Sequence, residues 1–596
     1  MPCAERIICL SIPRLATLQN KFNRLKRLHS FNLTWNMPEQ LPEGYHLENF
    51  LSLMRFVRHQ YADLLTAEER EYADNFELLP QQSQSLYVRL ILRKGPVFRS
   101  DKLSYADIDD IKASAVCLRD FGFIDQRADI DERIALHTKV ELLQWLPTQT
   151  NAKLLKRPAL LDLIRLDVDV LQQQLSFEIY RPLGAELILR YRLLFFGNLN
   201  QDFSEFVLTD MGMLRYENYP IDSRYRLFDS RAEVEQLWRH YQLREQCGQM
   251  IAQQSFQQLS QVVNDGLQLA SGDMPTLMSL GRRSDRLRNY VARHLERQQL
   301  DLQALALYRL SNATPARERR VRLLKKHGAM TAALALCEEM QASPIDEEEL
   351  DVATRLGHAL AMKVRGESQF AQVPLEYNSL SLQFDKPLSK GLRVEELVRR
   401  RFEDNTETGG QIWRSFYVEN GLIPSLFGLC FWDIIFAPIK GAFVNPYQRG
   451  PLDLFTPAFL QAREAEVDRR FFELSSNAAI KSRALSSYQQ KRGTANYLVR
   501  WDCLSSELLE LALTCIPYTD LLVIFRRLLF DLRNNRSGFP DLICFNCDDK
   551  NGHSYLMVEV KGPGDKLQNN QKRWIKTFAS NEIPFQLAHV SWVTNE

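Results

Sequence analysis

The residues from Tyr518 onward carry the pattern that most constrains the fold of this chain. An apolar stripe at helical spacing ends before Gly538, and the residues from Asp541 to Phe545 are typical of a strand. Asn551-Gly552 is a strong signal for a tight hairpin turn. A second strand-like run, Tyr555 to Lys561, follows that turn. The sequence therefore predicts a β-hairpin within an α/β region.

A helix and a third strand are predicted after this hairpin. Gly562 to Gly564 end the second strand, because glycine and proline interrupt regular structure. The following helix carries Gln571, Trp574 and Phe578 on one side. A last strand is predicted from Phe585 to Val593, so helix and strands alternate to the end of this region.

Two carboxylates and a lysine are expected to meet on the hairpin. Side chains alternate along a strand, so Glu559 and Lys561 share one face while Val560 points to the other. Asp541 begins the neighbouring strand, and hairpin geometry can bring its carboxylate near Glu559. Two carboxylates this close repel unless a cation lies between them, and hard oxygen ligands suit Mg²⁺ or Mn²⁺.

This set of side chains is suited to metal-assisted hydrolysis of a phosphodiester. The metal lowers the pKa of a water, and Lys561 supplies positive charge beside an anionic centre. The spacing alone is a weak signal, because an Asp followed later by Glu-x-Lys occurs by chance in many long chains. Exposed charges on a hairpin are the alternative that spacing leaves open.

The rest of the chain is predicted to be mainly helical. At 596 residues it is long enough for about four domains. Residues 1 to about 260 mix apolar and charged residues at helical spacing, and residues about 261–380 are typical of packed helix pairs. Ala304 to Leu307 recurs as Ala333 to Leu336, which is a weak repeat signal that ordinary helix packing also explains.

Positive charge is concentrated in one segment. The whole chain has 75 Lys and Arg against 74 Asp and Glu, which excludes a polybasic protein. Gly281 to Lys326, however, contains 13 Lys or Arg and 4 Asp or Glu, a surplus of nine. A role in binding DNA phosphates and a merely solvated helix face both remain open for this segment. Its densest part consists of Arg317, Arg319, Arg320, Arg322, Lys325 and Lys326.

The cysteines and the apolar segments suggest a cytosolic protein. Ten cysteines are scattered along a chain too long to need disulfides, so most are expected to be reduced. Cys544 and Cys547 have metal-like spacing but no second pair nearby, and are expected to be buried strand residues. Glu5 and the lack of a long apolar run argue against a signal peptide. Ser425 to Ile439 is too short to span a bilayer, so no transmembrane helix is expected.

The C-terminal residues resemble a known nuclease domain. Arg536 to Leu542, then Val558 to Asp565, and finally Gln571 with Trp574 are similar to the VRR-NUC domain of the PD-(D/E)xK nuclease superfamily. Further segments resemble the Fanconi-associated nuclease family in its bacterial form, from Leu86 to the end. These segments are Leu86–Leu90, Arg93–Pro96, Val394–Leu397, Glu419–Gly421, Trp432–Phe436, Pro451–Leu454 and Trp501-Asp502.

The resemblance implies roles for the residues of the hairpin. Asp541 and Glu559 match the metal-binding carboxylates of the family, and the backbone carbonyl of Val560 matches a further ligand. Lys561 matches the catalytic lysine, which would orient the attacking water and stabilise the pentacovalent phosphorus. The implied cofactor is Mg²⁺ or Mn²⁺.

Two further positions carry an implied role. Glu419 matches a fourth acidic position that binds metal, and it lies just before an apolar helix with Pro424 in its first turn. An ordinary acid at a helix N-terminus is the alternative for Glu419. Gln571 matches the Gln of the family motif and would hold the geometry of the site, although a polar residue on a half-buried helix fits the sequence equally well.

The resemblance also implies a multidomain architecture. The N-terminal and middle regions would be predominantly α-helical, followed by a C-terminal α/β PD-(D/E)xK nuclease core. We expect a helical DNA-binding region at 1–135, a SAP-like helical region at 136–260 and a TPR-like helical region at 261–393. The nuclease domain would span 394–596, with its VRR-NUC core at about 484–596.

The implied activity is that of a DNA structure-specific nuclease. Similar proteins cut 5′ flaps, act as 5′–3′ exonucleases and serve interstrand crosslink repair, with branched DNA as partner. We expect a bacterial cytoplasmic protein that works at the nucleoid, with no membrane partner and no ubiquitin-binding zinc finger, because paired Cys/His spacing is missing. A 5′-phosphate pocket is not carried over, since Asn570 is neutral. The alternatives are a junction resolvase or restriction-type nuclease, and an inactive helical DNA-binding scaffold.

Overall fold

The computed structural model describes most of the chain, in two compact units. The units are Met1–Met213 and Leu214–Glu596. The predicted boundaries after residues 135, 260 and 393 stay predictions. The described residues are 44–145, 154–164, 177–201, 203, 214–271, 278–370, 377–385, 392–404, 413–546 and 555–593.

The first unit consists of helices and a small antiparallel sheet. The strands are β1 (Phe98–Arg99), β2 (Ile124–Asp125) and β3 (Ile179–Pro182), in the order β1-β3-β2. A short 3-10 helix spans Ser100–Lys102. The helices are α1 (Tyr45–Gln60), α2 (Ala67–Glu77), α3 (Gln81–Ile91), α4 (Ile111–Asp120), α5 (Ile130–Ala135), α6 (Lys139–Gln144), α7 (Arg157–Ile164) and α8 (Ala185–Phe196).

Capping and aromatic packing hold this unit together. Thr66 begins α2 with a capping box, in which its side chain and that of Glu69 each accept a backbone N–H of the other residue. Phe76, Tyr87 and Phe123 pack with tilted or edge-to-face rings in the core. The predicted helical character of this region is confirmed for the described residues.

The second unit begins with a run of helices, each packed against the next. They are α9 (Arg231–Ala252), α10 (Leu259–Ser271), α11 (Met278–Arg297), α12 (Asp301–Arg309), α13 (Ala316–Lys326), α14 (Met330–Ala342) and α15 (Glu347–Val364). Ala304 and Ala333 are fully buried between neighbours, as expected for small residues at helix contacts. Gly357 lets the Phe370 ring approach α15, because a Cβ there would lie 2.3 Å from that ring.

The remainder of the second unit is the predicted α/β region. Its helices are α16 (Val394–Glu403), α17 (Leu422–Cys430), α18 (Trp432–Ile435), α19 (Ala458–Gln461), α20 (Glu464–Glu473), α21 (Asn477–Lys491), α22 (Ser506–Cys515), α23 (Tyr518–Phe530), α24 (Leu532–Asn535) and α25 (Asn569–Ser580). Its strands are β4 (Asn378–Asp385), β5 (Arg414–Tyr417), β6 (Leu542–Phe545), β7 (Tyr555–Lys561) and β8 (Phe585–Val593).

These five strands form one mixed sheet with a core on each face. The order is β4-β8-β7-β6-β5, with β4 and β7 parallel to β8, and β5 and β7 antiparallel to β6. The predicted pairing of β6 with β7 and the bounds of β7 and β8 are confirmed. β6 begins one residue later than predicted, at Leu542. The Asn551-Gly552 turn lies outside the described residues, and β4 and β5 are not predicted from the sequence.

Most of the described cysteines are free, as expected. Cys515 is in a disulfide, whereas Cys544 is free and buried in β6 as predicted. Cys547 lies outside the described residues. The other described cysteines are free: Cys117, Cys247, Cys337, Cys430 and Cys503.

Within the described ranges, no single helix has the length and apolar character needed to cross a membrane. One pair, α22 and α23, meets those criteria only when taken together, and it is bent by 106°.

Candidate active site

Asp541 and Glu559 face each other across the hairpin. Leu542 pairs with Val558 in the antiparallel register, so the next position along places Asp541 opposite Glu559. Oδ2 of Asp541 accepts the backbone N–H of Val560 at 2.9 Å. Both carboxylates are buried, at 8% and 2% exposure respectively, and this burial governs their charge.

The two carboxyl groups hold their protons more tightly than usual. Burial raises the pKa of Glu559 to about 8, and the charge of Asp541 adds to the shift. Burial also raises the pKa of Asp541 to about 6, with Glu419 and Glu395 contributing. The cause in both cases is the cost of placing negative charge in a poorly solvated region that already contains negative charge. Such a region favours a cation.

Alternation along β7 separates Glu559 and Lys561 from Val560, as predicted. Val560 packs into the apolar core on one face of the sheet, together with Leu542 and Val558. The backbone of Val560, and not its side chain, contacts the site, because its N–H donates to the Asp541 carboxylate on the neighbouring strand. The side chains of Glu559 and Lys561 meet on the other face, where Nζ of Lys561 lies 2.9 Å from Oε1 of Glu559.

Gln571 closes a triangle with these two side chains. Its Nε2 donates to Oε1 of Glu559 at 2.5 Å, and its Oε1 accepts from Nζ of Lys561 at 3.1 Å. The same Oε1 accepts the backbone N–H of Gln568 at 2.9 Å, which completes a capping box at the start of α25. The first turn of α25 therefore fixes the amide that contacts both charged groups.

A glycine brings the preceding loop against α25. Gly538 has φ +90°, and a Cβ there would lie 2.8 Å from the carbonyl carbon of Asn570 and 2.9 Å from the nitrogen of Gln571. Next to it, Nδ2 of Asn570 donates to Oγ of Ser537 at 3.3 Å. Only glycine allows this close approach together with a left-handed backbone.

Glu419 reaches the same site from β5. The N–H of Val418 donates to the carbonyl of Asp541 at 2.8 Å, so the end of β5 lies beside Asp541. The Tyr417 hydroxyl donates to Oε2 of Glu419. Asn420, in the left-handed region at φ 49°, accepts the N–H of Phe539 on its side chain at 3.1 Å. The sequence prediction that Glu419 precedes an apolar helix is confirmed by α17.

Two residues near these acids are missed by the sequence analysis. Glu395 on α16 is close enough for its charge to raise the pKa of Asp541. Burial raises the pKa of Tyr417, and Glu419, Asp541 and Glu395 raise it further. Tyr417 therefore lies among three carboxylates. The only signal for Glu395 in the sequence is its place inside the Val394–Leu397 match.

The donor atoms fit a hard divalent cation in chemistry. Asp541, Glu559 and Glu419 offer only oxygen, and burial together with the neighbouring carboxylates raises the pKa of Asp541 and of Glu559. No three His, Cys, Asp or Glu side chains within the described ranges converge closely enough to hold a metal ion. The carboxylates instead accept hydrogen bonds from Val560, Gln571 and Tyr417.

Most of the predicted DNA-binding cluster on α13 is engaged in ion pairs. No carboxylate in the described part of the chain lies within ion-pair distance of Arg320 or Lys325, and Lys325 is exposed. The role of the whole cluster in DNA binding stays a prediction. The four remaining members are bonded as follows: Arg317 to Glu349 at 2.5 Å, Arg319 to Glu296, Arg322 to Glu318 at 2.8 Å and Lys326 to Asp301 at 2.5 Å.

A second group of arginines lies where the helical run comes close to the α/β region. Arg282, Arg283 and Arg286 lie on α11, and Arg533 lies on α24. Partial burial lowers the pKa of Arg286, and the charges of the other three lower it further. Among the described residues, Arg282, Arg286 and Arg533 have no acidic partner within ion-pair distance. Uncompensated guanidinium groups that crowd together favour an anion such as phosphate.

Two protein-family models match this chain, one in its N-terminal part and one in its C-terminal part. The model described as the VRR-NUC domain matches residues 475–592. The model described as the "FAN1, HTH domain" matches residues 44–125.

Individual relatives match nearly the whole length. The Fanconi-associated nuclease 1 homolog of Pseudomonas aeruginosa is 35% identical over 565 residues, which cover 93% of this chain and 97% of that protein. The Oryza sativa subsp. japonica homolog is 26% identical over 92% of this chain and 62% of its own. A crystal structure of paFAN1 bound to DNA with a 2-nucleotide 5′ flap and a gap superposes with a TM-score of 0.81, at 35% identity over 94% of this chain and all of the other.

Proposed function

The chain belongs to the Fanconi-associated nuclease family, and from that membership we propose that it cuts branched DNA near a 5′ flap. A member of this family is a DNA-cleaving hydrolase that depends on a divalent metal ion. The similar paFAN1 structures contain DNA with a 5′ flap of one or two nucleotides. The observation that carries the proposal is the contact of Glu559, Lys561 and Gln571 beside Asp541.

The metal ligands that we propose are Asp541, Glu559, Glu419 and the backbone carbonyl of Val560. Mg²⁺ or Mn²⁺ suits this set, because both ions prefer several oxygen donors. Such an ion supplies Lewis acidity and lowers the pKa of a bound water. The charges of three acids offset the charge of the ion, and the bond from Val560 N–H to Asp541 holds one carboxylate in place.

Lys561 is the residue that we propose acts on the reacting phosphate. Its Nζ is held by Glu559 and Gln571, so it is already oriented before DNA binds. In that position it can donate a hydrogen bond to the attacking water and stabilise negative charge on the phosphoryl oxygens. Gln571 does not need to touch the phosphate, because its two hydrogen bonds set the spacing of the other two side chains.

The DNA backbone would be bound by uncompensated arginines rather than by the paired ones. Among the described residues, the candidates without a carboxylate within ion-pair distance are the group Arg282, Arg286 and Arg533, and in addition Arg320 and Lys325. Contacts of this kind bind phosphates without reading the sequence. Binding should therefore fall steeply as salt rises and should depend on the shape of the DNA.

The biological setting is part of the same proposal. We infer a 5′–3′ exonuclease activity alongside flap cleavage, use in interstrand crosslink repair, and work at the nucleoid in a bacterial cytoplasm. A junction resolvase would still cut DNA but would prefer another substrate, whereas an inactive scaffold would cut none. The contacts that Glu559, Lys561 and Gln571 make with one another favour an active enzyme over a scaffold.

A comparison of substrates tests the proposed specificity. End-labelled 5′-flap, fork, four-way junction and plain duplex DNA would be incubated with the protein and Mn²⁺ or Mg²⁺. We expect the 5′ flap to be cut fastest, on the strand that carries the flap. Faster cutting of the four-way junction would favour the resolvase, and cutting of plain duplex at a fixed sequence would favour the restriction-type enzyme.

A further inference from the structure

An aromatic–arginine surface, formed by Phe455, Tyr497 and Arg536, lies outside the catalytic residues. The rings of Phe455 and Tyr497 meet edge to face, with centroids 5.7 Å apart. The guanidinium carbon of Arg536 lies 4.2 Å from the centroid of the Phe455 ring. Tyr497 is 49% exposed and Arg536 is exposed, so two of the three side chains are accessible to a ligand.

This surface is rigid on its inner side. Phe455 packs against the main apolar core of the second unit. The N–H of Tyr497 donates to the carbonyl of Arg449 at 3.1 Å, and a Cβ on Gly450 would lie 3.2 Å from the Tyr497 ring. The backbone therefore supports one side of the ring, and about half of the Tyr497 side chain remains exposed. A ligand that stacks on the ring would meet a platform that is already formed.

The positive charge of the surface is not neutralised locally. Within the described ranges, no carboxylate lies within ion-pair distance of Arg536, and the same holds for Arg449. The guanidinium of Arg536 rests on an aromatic ring instead. An aromatic pair beside uncompensated arginine favours a ligand with both flat apolar faces and negative charge.

Short stretches of chain lead from this surface to two parts of the proposed active site, namely α25 with Asp541 and the segment that carries Glu419. Arg536 precedes Ser537 and Gly538, which contact the first turn of α25 at Asn570 and Gln571. Asp541 is five positions after Arg536 in the chain, a span of at most about 17 Å when fully extended. On the other side, Tyr497 is three residues before Arg500, whose Nη1 lies 3.5 Å from the carbonyl of Glu419.

We propose that Phe455, Tyr497 and Arg536 bind the unpaired bases of DNA next to the scissile phosphate. The proposal rests on the proposed function, because it assumes a DNA substrate at Asp541 and Glu559. Every base has a π face, so stacking on Tyr497 tolerates any sequence, and Arg536 adds charge for the backbone. Paired bases in a duplex are already stacked on each other and cannot use the platform. The surface therefore distinguishes DNA with unpaired nucleotides from plain duplex.

The test uses a fluorescent base in the flap. A 5′-flap DNA would carry 2-aminopurine at its first unpaired position, and a matched duplex would carry it in a base pair. Both would be titrated with the full chain in EDTA, so that binding is measured without cleavage. Because 2-aminopurine loses fluorescence when it stacks, the wild-type protein should quench the flap probe. Tyr497→Ala should abolish this quenching and weaken flap binding by about fivefold to a hundredfold.

Two controls separate stacking from general damage. Tyr497→Phe keeps the ring and should retain quenching and affinity. Tyr377→Ala removes a tyrosine of similar exposure, 39%, just before β4 and should change neither. Arg536→Ala gives an independent variant, for which we expect weaker flap binding and unchanged duplex binding.

The outcomes decide between this inference and the proposed function. Weaker binding of the flap with unchanged duplex affinity in Tyr497→Ala supports the platform. Unchanged quenching in Tyr497→Ala, or an equal loss of flap and duplex binding, overturns it. Flap cleavage by the wild-type protein with Mn²⁺ would be measured in parallel. Absence of that cleavage refutes the proposed function, whereas cleavage together with unchanged quenching in Tyr497→Ala refutes the platform alone.

Discussion

Glu559 is buried and has a raised pKa, so its charge opposes folding when no metal is bound. The pKa of this carboxyl rises from 4.5 in the unfolded chain to about 8 in the folded one. The folded state therefore binds more protons than the unfolded state in this window. The contribution of Glu559 to stability is greatest below pH 4.5 and is lost as the pH rises towards 8.

We predict that Glu559→Gln stabilises the metal-free protein at pH 7. The neutral amide avoids the cost of a buried charge, which is roughly 2–3 kcal/mol for a shift of this direction and size. Thermal unfolding in EDTA would measure the effect, and the gain in Tm should shrink at pH 5. A variant less stable than wild type at pH 7 would contradict the account of the charge.

Tyr417 is predicted to position Glu419 for metal binding. Tyr417→Phe removes the hydroxyl that donates to Glu419 and leaves the ring in place. Because the partners of ligating carboxylates orient them, Mn²⁺ affinity should fall by about tenfold. Calorimetric titration with Mn²⁺ measures this directly, with Tyr377→Phe as a matched control. Equal affinity in Tyr417→Phe and wild type would limit the hydroxyl to a structural role.

Gly538 is predicted to be essential for activity because it lies against the backbone of Asn570 and Gln571. Gly538→Ala would push the backbone of Asn570 and Gln571, and a displacement of about 1 Å at a catalytic centre can cost about 100-fold in rate. Gly564→Ala is the matched control, since its φ of +89° is similar but a Cβ there meets open space. Flap cleavage rates would be compared. Similar losses in both variants would mean that backbone strain alone is responsible.

At the residue scale, the sequence identifies the site residues that lie within one hairpin. It misses the site residues that other elements of the fold bring to the hairpin. Strand alternation is enough to place Glu559 with Lys561, and the turn signal brings Asp541 to them. Tyr417 and Glu395 come from β5 and α16, more than 120 residues earlier in the chain. No local pattern reports that proximity. Glu419 is accessible only through resemblance to the family.

At the scale of elements, prediction succeeds where a strand has a local partner. The bounds of β7 and β8 are correct because apolar runs and turn residues delimit them. β5 is only four residues long, at the edge of the sheet, which leaves little signal. β4 pairs with β8 although the two are separated by some 200 residues, and its alternating Leu and Phe residues could equally belong to an isolated strand.

The arginines of α11 and those of α13 differ in whether nearby carboxylates neutralise their charge. This difference predicts which group binds DNA. Arg286 on α11 has no acidic partner within the described ranges, whereas Arg319 on α13 is bonded to Glu296. Arg286→Glu should weaken DNA binding uniformly across sequences and reduce the slope of log K against log salt by about 1. Fluorescence anisotropy at several salt concentrations would measure both.

The control for Arg286→Glu is Lys363→Glu, which changes the net charge equally at an exposed position of α15. Its salt slope should match that of wild type. If both reversals reduce affinity alike, net charge and not the arginine group determines binding.

On the scale of the whole molecule, the predicted division into helical regions and an α/β nuclease core is confirmed. Periodicity is enough to separate the helical regions from the α/β region, because helices and strands bury apolar residues with different periods. The assignment of the α/β region as a nuclease core comes from the resemblance to the family. The domain boundaries are harder, since packing decides them. Tyr219, for example, stacks on Phe443 at 4.0 Å within the second unit, and its hydroxyl donates to the carbonyl of Asn445, although more than 200 residues lie between them.

The central claim is that Asp541, Glu559 and Lys561 form a metal-dependent site that cleaves branched DNA. Its most direct test is cleavage of a labelled 5′-flap duplex with Mn²⁺ or Mg²⁺, with wild type beside Asp541→Ala and Lys561→Ala. We predict cleavage by the wild type that EDTA abolishes. Both variants should lose cleavage while flap binding persists. Cleavage by either variant at the wild-type rate, or by the wild type in EDTA, would contradict the account.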